Sequence, residues 1–305
     1  MLDTGCHALP NLFLIGAPKC GTTSLHDLLT QYDDVFMTSV KEPAFFSRDD
    51  AYARGLDHYA RTYFRTSAGY RWRGEATPWY LYSRDAMMRI RADLGENLRF
   101  IVCLRDPADR AISMYRDQVR AQWEDRTIGE ALDAQLDGSF IETRIEQSYV
   151  QTGFYARYLR EWFAIFGRDK FLVLLYEDLQ NPAYLQRRLR LFLGLPELAA
   201  DDEDQIRQYN AASGLKIRWI ARALRNVQEW DSPVKKRIQR VLPEHFVRVA
   251  GQKVVYWNTG GRPIAVPPKA RDQLSTIFTD SLVELSELIE RPTEWWSKAT
   301  DPDDS

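Results

Sequence analysis

A glycine-bearing turn between a short apolar run and a helical segment limits what this chain can become. Residues 11–16 read NLFLIG and suit a buried strand, while residues 22–31 (TTSLHDLLTQ) carry helical spacing. Between them stands Ala17-Pro18-Lys19-Cys20-Gly21. Strand, tight turn and helix in that order can hold an anion with backbone N–H groups and the positive helix end. Gly16 and Gly21 have the spacing of the nucleotide loop GxxxxGK[ST]. The order of polar residues departs from that loop. Thr22 occupies the place of its lysine, and the lysine of this chain lies inside the turn, at 19. The lysine-hydroxyl ending that serves a magnesium nucleotide is therefore broken. Anion chemistry survives. Lys19 reaches a group lying over the loop, and Thr22, Thr23 and Ser24 add hydroxyl donors. The plain alternative is a surface turn with an exposed lysine and an N-capping threonine.

Further apolar runs set the class. Residues 99–104 (RFIVCL) and 170–176 (KFLVLLY) are short, β-rich and continuous, as strands buried on both faces are. Shorter strands are predicted at 35–37 and 71–75. Helices are predicted at 56–64, 78–94, 108–122, 154–166 and 182–193. Alternation of this kind predicts an α/β fold with a P-loop-like parallel sheet flanked by helices. After about residue 200 the strand signal fades. Residues 217–229, 233–250 and 268–290 read as helices, giving a mainly helical C-terminal part. The expected organisation is one domain over residues 1–305, with an α/β core to 195 and a helical portion over 196–305. A net charge of −2 disfavours nucleic acid held by bulk electrostatics, so an anionic ligand needs a local site. Three scattered cysteines form neither a disulfide framework nor a zinc pattern, and no metal site is expected. No apolar run reaches the roughly 18 residues of a membrane span. No signal peptide is read either, so a cytoplasmic location is expected.

A second motif follows the strand at 99–104. Arg105-Asp106-Pro107 sits at the carboxyl end of that strand and opens a helix, with Ser113 two turns on. The carboxyl edge is the ligand side of an open parallel sheet, and arginine suits phosphate. Taken alone, the segment reads equally as a capped helix with a surface ion pair. Taken with the first loop, it resembles the sulfotransferases that use 3′-phosphoadenosine 5′-phosphosulfate (PAPS). The likeness is greatest to the branch shared by heparan sulfate sulfotransferases and many bacterial enzymes. The residues that carry it are Ala17 to Leu25 (APKCGTTSL), Leu104 to Ser113 (LRDPADRAIS), Lys41 to Phe46 (KEPAFF), Gly74 to Tyr80 (GEATPWY), Gly153 to Trp162 (GFYARYLREW) and Leu174 to Leu179 (LLYEDL).

The resemblance implies roles. Residues 1–195 become the donor-binding core. The loop with Lys19, Cys20, Gly21, Thr22, Thr23 and Ser24 binds the 5′-phosphosulfate end of PAPS, and Arg105 and Ser113 bind its 3′-phosphate. Lys19 offsets charge on the leaving phosphate. Glu42 is the general base that takes the acceptor proton, and it is preferred over His7, His26, His58 and His245. The donor would be covered by a late loop, either 213–218 or 259–263. The second is preferred, with Gly261 and Arg262, because a glycine pair permits close backbone approach. Phe45, Trp79, Tyr80 and Tyr155 are candidate acceptor-pocket residues, and Trp162 is assigned to the core. Cys20 is read as a small loop filler whose thiol brings sensitivity to thiol reagents. The scheme needs no metal. The expected partner is a hydroxyl on a small molecule, lipid or carbohydrate. Ala76 stands where the heparan sulfate enzymes carry a lysine, which puts a heparan-type acceptor in doubt. A P-loop kinase or NTPase, or a non-catalytic nucleotide-binding protein on the same fold, is the competing class.

Overall fold

The structure, a computed structural model, describes residues 8–138, 145–196, 264–293 and 296. Five parallel strands form one sheet in the order β2-β3-β1-β4-β5. They are β1 (Leu12–Gly16), β2 (Val35–Met37), β3 (Trp72–Ala76), β4 (Arg99–Leu104) and β5 (Phe171–Leu175). Every residue of β1 and β5 is buried, as the unbroken apolar runs require. The register places Phe13 beside Phe100 and Phe100 beside Phe171. Their rings stack across three strands at 5.8 and 4.8 Å.

The helices are α1 (Thr22–Leu29), α2 (Asp49–Tyr52), α3 (Leu56–Tyr63), α4 (Arg84–Leu94), α5 (Pro107–Arg120), α6 (Ile128–Leu136), α7 (Tyr155–Phe166), α8 (Pro182–Leu193) and α9 (Pro268–Ile289). Helix α7 lays Trp162 against the ring ladder, 5.4 Å from Phe100, and Trp162 is buried. Helix α9 packs on α5 and α7. Its Phe278 ring lies over Gly153, where a Cβ would come within 2.4 Å.

Two readings of the sequence are revised. The helix expected over 78–94 is two elements, a 3-10 turn at Pro78–Tyr82 and then α4. Ser83 separates them in extended conformation, and its hydroxyl accepts the Ala86 amide. N-capping by serine outweighs the continuous helical spacing. Helix α6 was not expected. It opens on a Thr127–Glu130 capping box, in which each side chain accepts the other's backbone N–H. The helices read at 217–229 and 233–250, the loops 213–218 and 259–263 with Gly261 and Arg262, and Cys6, His7 and His245 lie outside the described residues.

The strand order fixes where a ligand belongs. From β1 the chain crosses to β2 and β3 on one side, then returns past β1 to β4 and β5 on the other. The reversal opens a crevice beyond the carboxyl ends of β1 and β4. The Lys19 loop follows β1 and Arg105 follows β4.

Candidate active site

The loop after β1 is shaped by backbone constraints. Lys19 and Gly21 both have left-handed φ, 71° and 81°. Gly21 caps α1, and a Cβ there would meet Leu179 at 2.2 Å. The loop is thus packed beneath the Tyr176–Gln180 turn that follows β5. The Ala17 amide donates to Cys103 of β4 at 2.7 Å, which ties the loop to the crevice. The opening N–H groups of α1 belong to Thr22, Thr23 and Ser24, and a helix leaves such groups without intrahelical acceptors. Thr22 is buried, whereas Thr23 and Ser24 are exposed.

Lys19 pairs with Asp117 of α5, which also lies 3.6 Å from Arg120. Asp109, Ser113 and Asp117 are spaced four apart on that helix, so they share a face. The face runs from Arg105, whose guanidinium is 3.5 Å from Asp109, to Lys19 at the other end. Ser113 is half-buried on the same stripe. The sequence did not single out Asp117, although its spacing from Ser113 carried the signal.

Arg105 lies over the Tyr176 ring, 4.7 Å from its centroid. Arg110 of the same motif has no exposure and donates to the Tyr149 carbonyl. Of the motif's two arginines, Arg105 is the one with a partly open guanidinium. Asp106 caps α5 through the Ala108 amide at 2.8 Å. Burial and the neighbouring Asp109 push its carboxyl up to about 6, against the opposing charge of Arg271. Arg271 of α9 binds Asp106 at 2.9 Å and Asp109 at 3.2 Å. The C-terminal helix is thereby fastened to the Arg105 turn. Arg291 grips Asp178 with two bonds, of 2.6 and 2.9 Å, beside the Tyr176 turn.

Glu42 follows β2 and reaches the same edge. Its amide donates to Ala76 at 2.9 Å, and its carboxylate lies 3.3 Å from Lys41. Lys41 in turn donates to Thr23 at 2.9 Å. Glu42, Lys41 and the start of α1 thus form one chain of contacts. His26 is buried on α1 and uses Nε2 on the Thr38 carbonyl at 3.0 Å. His58 contacts Thr62 on α3.

The aromatic candidates separate. Trp79 is half-buried. Phe45, Tyr80 and Tyr155 are buried, so their rings are core packing here and form no open pocket wall. Phe45 stacks on Tyr59 at 4.2 Å. Tyr155 donates to the Arg105 carbonyl at 3.0 Å beneath the loop. Glu75 at the end of β3 was not singled out as a site residue. It has no exposure, and burial pushes its carboxyl up to about 7 against hydrogen bonds from Tyr59, Thr77 and Tyr80.

Cys20 is fully buried, with its thiol near Pro18 O and the Tyr155 hydroxyl. Burial pushes the thiol up to about 11, although Arg110 and Tyr155 act in the other direction. The thiolate is the reactive form, so the expected sensitivity to thiol reagents is not supported. Iodoacetamide at pH 7.5 should leave Cys20 unmodified in the folded protein and alkylate it in urea. Peptide mass spectrometry reads the difference, and rapid labelling of the folded chain would contradict the burial.

Among the described residues, no cluster of three or more His, Cys, Asp or Glu is arranged to hold a metal ion. Nor is any helix among them long and apolar enough to cross a membrane. A parallel sheet thus carries a glycine-bearing loop at its switch point, an arginine at the end of the facing strand and a carboxylate beside the loop, an arrangement suited to an anionic ligand. Residues 9–239 match the sulfotransferase domain family, and the chain belongs to that family. It is 33% identical over 202 residues to mouse heparan sulfate glucosamine 3-O-sulfotransferase 3A1, an alignment covering 66% of this chain and 50% of that protein. The human protein of the same name is also 33% identical, over 66% of this chain and 48% of its own length. The chain thus spans about half the length of the curated relatives it matches. A crystal structure of a sulfotransferase from Alicyclobacillus acidocaldarius shares the fold, with a TM-score of 0.67, 24% identity and coverage of 95% of this chain and 100% of that one.

Proposed function

We propose that this chain transfers a sulfuryl group from PAPS to a hydroxyl acceptor. One observation carries the reading. The parallel sheet delivers the Lys19 loop, Arg105 and Glu42 to a single edge, around the β1/β4 crevice. Family membership supplies the sulfuryl chemistry. In the proposed step the acceptor oxygen attacks sulfur in line. The bond from sulfur to the bridging phosphate oxygen breaks, and the electron pair leaves with 3′,5′-ADP. Glu42 takes the acceptor proton. Lys19 turns from Asp117 to the bridging oxygen and offsets the charge that develops there. The opening amides of α1 hold the 5′-phosphate, and Arg105 with Ser113 holds the 3′-phosphate. No step calls for a divalent metal. The acceptor class stays broad: small molecule, lipid or carbohydrate. The names of the relatives favour a carbohydrate, while Ala76 in place of lysine speaks against heparan itself.

Thermal unfolding tests the donor. With 3′,5′-ADP at about 100 times its Kd and EDTA present, the native state should gain about 2.7 kcal/mol. Stabilisation by ATP with magnesium, and none by 3′,5′-ADP, would overturn the reading in favour of a kinase or NTPase. A transfer screen with PAPS over saccharide, phenol and lipid-alcohol acceptors, read by mass spectrometry, then names the acceptor class.

A further inference from the structure

Glu75 is a carboxylate in the core, and among the described residues no lysine or arginine pairs with it. A buried carboxylate without a counter-charge is costly, so its retention calls for a reason. Three hydroxyls donate to it. Tyr59 and Tyr80 reach Oε1 at 2.6 and 3.1 Å, and Thr77 reaches Oε2 at 2.8 Å. Two of these hydroxyls lead further. Thr77 Oγ1 accepts the Ala44 amide at 3.2 Å, and the Tyr80 hydroxyl accepts the Phe46 amide at 3.1 Å. A hydroxyl has one proton and two lone pairs. With the proton fixed on Glu75, the lone pairs are turned to the two amides. Tyr59, the third donor, stacks on the Phe45 ring.

All three arms end on the segment that carries Glu42. That segment does not hold its shape by preference. Glu42 and Ala44 have φ of 59° and 52°, in the left-handed region that side-chain-bearing residues disfavour. The one backbone bond at this point, from the Glu42 amide to Ala76, also ends on the residue after Glu75.

We propose that Glu75 is a positioning residue: through the Thr77 and Tyr80 hydroxyls and the Tyr59 ring, its carboxylate holds residues 42–46 in the conformation that presents Glu42 to the acceptor. The proposal rests on the reading of Glu42 as the base. The Lys19 loop and Arg105 follow other strands, and the tethered segment meets the start of α1 through the Lys41–Thr23 contact.

The test uses the full chain at pH 8 and the Glu75→Gln variant. The amide keeps the volume but puts an N–H₂ group where a hydroxyl proton was accepted. Hydrogen exchange of the Ala44 and Phe46 amides should quicken by about 10-fold or more, as local opening becomes easier. The kcat with PAPS and the most active acceptor of the screen should fall by about 10²-fold, the effect of roughly 1 Å of misplacement. Affinity for 3′,5′-ADP should change far less than kcat, since Lys19 and Arg105 are positioned by other strands. Should Glu75→Gln fail to fold, the single arms decide. Thr77→Val should loosen Ala44 and spare Phe46, and Tyr80→Phe should do the reverse. Wild-type exchange across 42–46 in these variants overturns the proposal, and so does loosened exchange with wild-type kcat. Exchange needs no turnover, whereas Glu42→Gln is judged by turnover, so the tether and the base reading fail separately.

Discussion

Glu42→Gln should lower kcat by about 10²–10⁴-fold, the usual contribution of a positioned general base. An alcohol is a weak nucleophile near neutral pH, and its proton must leave as the oxygen attacks sulfur. Glutamine keeps the volume and an oxygen that Lys41 can still hold, the carboxylate being 3.3 Å from that ammonium. The backbone bond from residue 42 to Ala76 is also kept. What is lost is the capacity to take a proton. Affinity for 3′,5′-ADP should therefore be unchanged, and kcat should fall without a matching rise in KM for PAPS. Single-turnover kinetics with calorimetry on 3′,5′-ADP would separate the two. Wild-type turnover in the variant removes Glu42 as the base. The described histidines offer little in its place, because His26 is buried with Nε2 on a carbonyl and His58 lies along α3 against Thr62.

Much of this site was legible because its determinants are local. The Lys19 loop needs only a strand, two glycines and a helix within about 20 residues. Arg105 could be placed because a buried strand ends immediately before it. The fastening of the site was not legible. Arg271 meets Asp106 and Asp109 across separations of 165 and 162 residues, and Arg291 meets Asp178 across 113. No spacing rule encodes such pairs. Glu75 was hidden for another reason. Glutamate is almost never fully buried without a partner, so a sequence reading places it at the surface. Its partners, Tyr59, Thr77 and Tyr80, instead look like core aromatics and a turn residue. The helical reading of 78–94 failed because one extended serine with its hydroxyl on an amide ends the periodicity.

Arg105 and Lys19 should separate ground-state binding from catalysis. Arg105→Ala should weaken 3′,5′-ADP by about 10–100-fold, as the loss of a charged hydrogen bond worth about 1.5–3 kcal/mol implies. The Tyr176 ring beneath the guanidinium, 4.7 Å away, already orients it, so little ordering cost is incurred on binding. Arg105→Lys should recover only part of the loss, because lysine keeps the charge and lacks the planar fork. A ligand control assigns the contact. If Arg105 reads the 3′-phosphate, 3′,5′-ADP and 5′-AMP should approach equal affinity in Arg105→Ala. A preserved gap between the two nucleotides would place the 3′-phosphate elsewhere. Lys19 should behave differently. It is held by Asp117, and its pairing with the donor must replace that ion pair. Both side chains of the pair are about 30% exposed, so the exchange is nearly balanced and contributes little to affinity. The gain comes when negative charge builds on the bridging oxygen. Lys19→Ala should therefore cost about 10²–10³-fold in kcat, the scale for one lost charge-stabilising donor, with a much smaller change in 3′,5′-ADP affinity. An effect of Lys19→Ala confined to KM would make the lysine a binding residue and leave the leaving-group charge to the opening amides of α1.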